Sequence, residues 1–281
     1  MEKREQMIKK LKEYFEKRED VAMAFLFGSQ AKGYARKVSD WDIGVYFVPA
    51  RAGAIELESG RDYPESHNLW GDLEKITGSS VDLVVLNRAA PPLVFSVINN
   101  GIPLAVKNRA LYLRLLLKTH YEAIDFWQFT QDFWRIRERS RSLSPEDRSD
   151  LVKHLVFLEN ELNDIEYFKN ITQQQYAEDK VVKRNTERWV ENIVMASLDI
   201  AKIVLSAEKK NVPDSYRDTL HALGLHYFDE AFAEAFADFA ELRNLLAYEY
   251  LDFRWKRIRQ FIDKAPVLYP RFMIRMKEIT G

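Results

Sequence analysis

The stretch Val21–Val48, VAMAFLFGSQAKGYARKVSDWDIGVYFV, leaves the chain few ways to fold. Val21–Phe27 is an unbroken apolar run, read as a strand, that stops at Gly28-Ser29. A segment compatible with a short helix follows over Gln30–Arg36, and a second strand begins near Asp40. Side chains alternate across a strand, so Asp40 and Asp42 project from one face. Two carboxylates converging there make a poor core but suit a divalent cation with oxygen ligands. Upstream, Gly28 permits close approach of the backbone and Ser29 offers a hydroxyl. The helix that follows turns free N–H groups and a positive dipole end toward an anion. One short span thus places a phosphate cradle beside a metal seat, a pairing that suits nucleotide chemistry. Taken singly, Gly-Ser is a common turn, and Ser-Asp-x-Asp also fits a surface turn or an N-cap. The two halves lie between strong apolar strands, and that context favours the site reading. No Gly-Lys-Ser/Thr follows the glycine and no G-x-G-x-x-G occurs, so this is not a Walker loop.

At 281 residues the chain can form one large or two medium domains, and its 47% hydrophobic content is ordinary for a globular protein. The formal net charge of −1 offers no global attraction to nucleic acid or membrane. The sequence contains no cysteine, which excludes disulfides, thiolate zinc sites and a cysteine nucleophile and fits a reducing compartment. The first twenty residues are too charged for a signal peptide or a spanning segment and read instead as an amphipathic helix, with Met7, Leu11, Tyr14 and Phe15 at helical spacing. The expectation is a cytoplasmic protein with no membrane partner.

A polar loop over Pro49–Arg61 and a helix over Ser66–Thr77 lead through Gly78-Ser79-Ser80 to a strand, Val81–Asn87 (VDLVVLN). Asp82 is its one charge. A lone acid in a buried strand costs several kcal/mol unless it is paired, metal-bound or neutralised. It could instead cap a turn at an exposed strand start. With Asp40 and Asp42 upstream, a third catalytic carboxylate is favoured, since metal-assisted transfer needs a group to take the attacking hydroxyl's proton. Pro91-Pro92 opens a new segment, and Gly101–Val106 reads as a short edge strand. Leu111–Arg141 reads as one long helix rich in aromatics, including Tyr121, Phe126, Trp127, Phe129, Phe133 and Trp134. The cap and breaker signals of Ser142-Leu143-Ser144-Pro145-Glu146 mark the domain boundary, giving domains 1–141 and 142–281.

The second half shows no strand. Helices are expected over Glu146–Phe168, Lys180–Ala207, Tyr216–Leu223, Asp229–Asp252, Phe253–Asp263 and Pro270–Ile279, an antiparallel bundle. Trp189, Ile193, Ala196, Ile200 and Val204 form an apolar stripe on the second of them. On Asp229–Asp252, Arg243 and Tyr250 share a face with Phe232, Phe236 and Phe239. That guanidinium fits a structural ion pair or snorkelling arginine as well as a phosphate-binding one. The last 28 residues, Arg254–Gly281, hold eight Lys/Arg against two Asp/Glu, with RWKRIR at Arg254–Arg259. From Arg141 on, the balance is 21 basic to 24 acidic, so a solvated face is favoured over an RNA-binding patch. His67, His120, His154, His221 and His226 show no metal-ligand spacing with nearby acids and are read as incidental.

GSQAKGYARKVSDWDIGV followed by VDLVVLN resembles the minimal nucleotidyltransferases of the DNA polymerase beta-like superfamily, whose pattern is Gly-Ser, a short helix, Asp-x-Asp and a later third Asp. Gly28, Ser29, Gly33, Ser39, Asp40, Asp42 and Asp82 all fall in place over roughly the first 140 residues. The second half resembles the helical HEPN domains found beside or fused to such transferases, through KRNTERWVENIVMASLDIAKIV, PDSYRDTLHALG and LRNLLAYEYLDF. The resemblance implies an α/β nucleotidyltransferase domain, a small mixed sheet with helices, followed by an all-α helical bundle. It implies Asp40, Asp42 and Asp82 as metal-binding and catalytic residues for Mg²⁺ or Mn²⁺, with ATP as substrate, and Gly28, Ser29, Gly33 and Ser39 as the nucleotide cradle.

HEPN domains typically carry Arg-Asn, three residues, then His-x-Tyr, and form a metal-independent ribonuclease cleft as dimers. Here Arg243, Asn244 and Tyr250 match, but Tyr248 stands where the histidine belongs. Tyrosine, with a pKa near 10, is a poor acid or base at neutral pH, which argues against RNA cleavage by that route. In toxin–antitoxin pairs of this kind the transferase resembles an antitoxin that adenylylates the motif tyrosine, here Tyr250. The resemblance therefore implies AMP transfer to a protein tyrosine, a homodimer through the helical domain, and a protein or RNA partner. Two rivals stay open: an antibiotic-type transferase acting on a small hydroxylated molecule held by the Tyr121–Trp134 aromatics, and an RNA-binding module whose first domain only senses nucleotide.

Overall fold

The computed structural model describes residues 2–32, 40–51, 53–139, 142–243 and 251–280. The first unit runs α1 (Glu2–Glu16), β1 (Val21–Phe27), α2 (Gly28–Lys32), β2 (Trp41–Phe47), α3 (Glu65–Thr77), β3 (Val81–Val85), α4 (Pro91–Asn100), β4 (Ile102–Val106), and then enters α5 (Arg109–Arg139). The four strands form one sheet in the order β3-β2-β1-β4. β1 is antiparallel to both neighbours, whereas β2 and β3 run parallel, so the sheet is mixed. β1 sits second from one edge and is buried on both faces, which is why it reads as seven apolar residues without alternation. Leu11 and Phe15 of α1 and Leu69 and Leu73 of α3 cover one face, against Ile43, Val45 and Val81. Val94, Val97 and Ile98 of α4 and Leu111 and Leu115 of α5 cover the other, against Phe25 and Tyr46.

The strand expected over Val81–Asn87 ends at Val85. Asn87, fully buried, leaves the ladder and meets β2 through its side chain. Its Oδ1 accepts from the Phe47 N–H (2.8 Å), and its Nδ2 donates to the Phe47 carbonyl (3.1 Å) and to Glu56 (3.2 Å). Glu56 in turn accepts from the Tyr63 hydroxyl at 2.7 Å, so the polar connection after β2 is pinned to the end of the sheet.

The second unit begins at Phe126, within α5 and ahead of the 141/142 boundary expected from the breaker signals. The reason lies in the aromatics of α5: Phe126, Phe129 and Phe133 are buried in the core of the second unit. Their companions Tyr121, Trp127 and Trp134 are exposed. The unit continues with α6 (Pro145–Asn163), α7 (Ile165–Lys169), α8 (Gln173–Glu178), α9 (Lys180–Ala207), α10 (Tyr216–Tyr227), α11 (Glu230–Ala237) and α12 (Leu251–Thr280). Side-chain caps start several of them: Ser144 accepts from the Asp147 N–H, Asp179 from Val181 and Val182, and Ser215 from Asp218.

Two expected helices are corrected. The helix foreseen over Asp229–Asp252 stops at Ala237, and a turn at Asp238-Phe239 precedes helical residues 240–243. The helices foreseen as Phe253–Asp263 and Pro270–Ile279 are one, continuous through Pro266 and Pro270. An interior proline removes a backbone hydrogen bond and crowds the preceding turn. Here Ala265, Tyr269 and Phe272, all essentially buried, hold the helix against the core through both prolines.

α9 is the central rod of the bundle. Trp189 stacks on Phe168 at 4.2 Å between ring centroids, meets Phe261 edge-on, and donates its indole N–H to the Glu161 carbonyl at 2.7 Å. Trp189→Ala is expected to cost about 3–5 kcal/mol of stability, read as a large fall in the denaturation midpoint. Nucleotide binding by the first unit serves as the control for a local effect.

Candidate active site

The backbone geometry brings Gly28, Ser29, Asp42 and Asp82 to one end of the sheet. Phe27 pairs with Asp42 across the antiparallel β1–β2 ladder, and Asp42 pairs with Asp82 across the parallel β2–β3 ladder. Paired residues on neighbouring strands turn their side chains to the same face. The two carboxylates therefore lie side by side on the face that α4 and α5 cover further along. Asp40, exposed, lies two residues ahead of Asp42. Asp82 is also exposed, on an edge strand, so it escapes the burial penalty that singled it out in the sequence. Its neighbour Asp42 is what marks it.

Asp42 is half-buried, and its pKa is raised above the ordinary carboxylate value. Burial is the largest cause, followed by the facing charge of Asp82. The Ser29 backbone N–H donates to the Asp42 carboxylate and opposes the rise, while Asp40 adds repulsion. Among the described residues, no Lys or Arg forms an ion pair with Asp40, Asp42 or Asp82.

Gly28 is required here twice over. Its φ is +66°, in the left-handed region, and a Cβ on it would lie 2.0 Å from Oδ2 of Asp42. The turn out of β1 thus rests directly against the carboxylate. Behind it, Arg4 of α1 covers the last carbonyls of α2: Nε donates to Gln30 at 2.8 Å and Nη2 to Ala31 at 3.1 Å. Neither Arg4 nor the clamp it makes was legible in the sequence, where it is one of many charges on a polar helix. Gly33 and Ser39, expected in the nucleotide cradle, lie outside the described residues.

Of the HEPN-type motif, Asn244, Tyr248 and Tyr250 also lie outside the described residues. Arg243 is half-buried, with its guanidinium 4.3 Å above the Tyr216 ring and its Nε donating to Sδ of Met195 at 3.1 Å. Phe232, Phe236 and Phe239 join the core as their spacing implied. In the basic run, Arg254 pairs with Glu187, Arg257 with Glu241 and Arg259 with Asp263.

The histidines are less incidental than their spacing implied. His226 pairs with Glu208, and His221 meets Glu234 at 3.1 Å and Glu230 at 3.7 Å across the α10–α11 turn. Glu234 is shared with Arg217 at 2.8 Å. These contacts join helices separated by a loop, which local spacing does not show.

Residues 9–110 match the family described as Polymerase beta, Nucleotidyltransferase, and residues 158–273 match the family described as Ribonuclease HepT-like. By these matches the chain joins a nucleotidyltransferase domain of the polymerase beta type to a helical domain of the HEPN type. A solved structure titled "Crystal structure of the toxin-antitoxin with AMP-PNP" is 26% identical, with 46% of this chain and 90% of that one covered and a TM-score of 0.33. No curated protein matches. Among the described residues, no helix is long and apolar enough to cross a membrane.

Proposed function

We propose that the chain transfers AMP from ATP to a protein tyrosine, with Tyr250 or Tyr248 of its own helical domain, or of a second copy paired through that domain, as the acceptor. The observation that carries the transfer chemistry is the convergence of Asp42 and Asp82 beside Gly28, with no cationic side chain paired to them among the described residues. Carboxylate oxygens on adjacent strands fit Mg²⁺ or Mn²⁺, held by Asp40, Asp42 and Asp82. Bound there, the metal would draw negative charge off the triphosphate and the departing pyrophosphate. The chain's own residues do the rest. Gly28, Ser29, Gly33 and Ser39 receive the phosphates. Asp82, the more exposed of the paired acids, takes the proton of the acceptor hydroxyl. The phenolic oxygen then bonds to the α-phosphorus as the bond to pyrophosphate breaks.

Adenine as the base and tyrosine as the acceptor rest on the resemblance of the two domains to a transferase and the HEPN domain it modifies. In this reading the pair works as a toxin–antitoxin arrangement within one chain. The departure at Tyr248 and the structural seat of Arg243 on Tyr216 favour modification of the helical domain over RNA cleavage by it.

The test is intact-mass analysis of the purified chain after incubation with Mg²⁺ and each nucleoside triphosphate in turn. An adduct of one or more AMP units mapped to Tyr250 or Tyr248, absent from Asp42→Asn, is the expected result. An adduct that persists in Asp42→Asn, or no transfer from ATP to any tyrosine, overturns the reading.

A further inference from the structure

The sheet has two edges, and they differ. β4 carries Pro103 and pairs with β1 through a register shift, both features that blunt an edge. β3 (VDLVV) has no proline, lysine or bulge and stays in regular register with β2 from Val81 to Val85.

In a parallel ladder every second residue bonds the neighbouring strand. The Trp41 N–H donates to the Ser80 carbonyl at 3.0 Å and the Leu86 N–H to the Val45 carbonyl at 2.8 Å, so even-numbered residues of β3 face β2. Val81, Leu83 and Val85 therefore turn their N–H and C=O groups away from the sheet. The Val81 carbonyl accepts from the Trp70 indole at 2.9 Å, and the Val85 carbonyl from the Arg88 N–H at 3.0 Å. The N–H and C=O of Leu83 meet no partner among the described residues. They open on a cleft of about 310 Å³ lined by Ser66, His67, Trp70, Asp82, Leu83 and Val85, with Trp70 46% exposed.

We propose that this outer edge of β3 is where the acceptor docks: an extended polypeptide segment adds as a further strand and exchanges backbone hydrogen bonds with Leu83. The match is one of chemistry. A donor and an acceptor on one residue at a strand edge are what a peptide backbone completes, and Trp70 closes one end of the row. The match is also one of position. A residue of the added strand level with Asp82 turns its side chain to the face that carries Asp82 and Asp42. Docking on this edge thus delivers alternate side chains of the segment to the reacting end of the sheet. The inference rests on the reading of the first domain as a protein-modifying transferase and supplies the shape of its substrate.

The experiment uses the full chain, ATP with Mg²⁺, and a synthetic peptide of residues 244–254, which contains both Tyr248 and Tyr250. Two readouts are followed: AMP transfer to the peptide by mass, and hydrogen exchange at the Leu83 amide. Expected are protection of Leu83 on peptide binding and a loss of transfer of about tenfold when alternate peptide amides are N-methylated in one register but not in the other. Leu83→Pro, which removes an N–H that plays no part in the β2 ladder, is expected to lower transfer to the peptide about tenfold. Equal transfer to both N-methylated peptides without protection at Leu83 overturns the docking and leaves the transferase reading standing. Protection at Leu83 without transfer to any acceptor supports the docking and sinks the transferase reading. Failure of the peptide to protect Leu83 at all overturns the docking, whatever Leu83→Pro does to the fold.

Discussion

Asp42→Asn is expected to lower nucleotidyl transfer by about 10²- to 10³-fold and, in the absence of divalent cation, to raise the melting temperature. The two effects share a cause. Folding places the Asp42 carboxylate in a half-buried position against Asp82, and its pKa rises above the unfolded value. Folding therefore penalises the ionised form. The penalty is absent well below the unfolded pKa, appears as pH rises through it, and is complete above the raised folded value. Asparagine keeps the shape and an oxygen for the Ser29 N–H but carries no charge. Variant and wild type should converge at acid pH and separate toward neutrality, with the variant the more stable. Mg²⁺ is expected to reverse the order, since a cation that binds only the folded wild-type site stabilises it by mass action. Thermal unfolding across the pH range, with and without Mg²⁺, checks this. A variant that melts with the wild type at neutral pH, or that still transfers nucleotide, counts against the site.

Gly28→Ala is expected to damage the same site from the other strand. The left-handed backbone costs an alanine about 1–2 kcal/mol, and its Cβ would collide with the Asp42 carboxylate. The carboxylate must move, and a misplacement of the order of 1 Å in a reacting group costs about 10²-fold in rate. Gly28→Asn separates the two causes, because asparagine tolerates positive φ better than alanine. Stability should recover in part while transfer stays low. Full recovery of transfer in Gly28→Asn would show that conformation alone, rather than contact with Asp42, makes glycine necessary. Both variants call for the same paired measurement, a denaturation midpoint and a transfer rate.

The transferase half was readable because its chemistry is compressed into local patterns. An apolar run, a Gly-Ser break and Asp-x-Asp occupy fewer than thirty residues, and strand alternation alone puts Asp40 and Asp42 on one face. The pairing of Asp42 with Asp82 needed the sheet order, which local pattern does not contain, and the argument from burial that pointed to Asp82 proved to be the wrong one. The helical half was harder to divide. The Phe232, Phe236 and Phe239 spacing continues across the turn at Asp238, so periodicity sees no break there. Pro266 and Pro270 look like stops but are carried by core contacts from neighbouring helices. The aromatics of α5 told that a core was near, not which unit owned it. Arg243 on Tyr216 and His221 on Glu234 join distant parts of the chain, and no window of sequence reveals them.

The match to the polymerase beta family begins at residue 9, beyond Arg4. A domain cut to the edges of that match would keep the whole sheet, both carboxylate strands and the Gly-Ser turn, and would lose the two hydrogen bonds that hold the far end of α2. Such a fragment would also end ahead of Leu111 and Leu115, so it would lose apolar cover on one face of the sheet together with the clasp on α2. The boundary of the match therefore falls inside the folded unit, and the first turn of α1 belongs to that unit as much as the strands do.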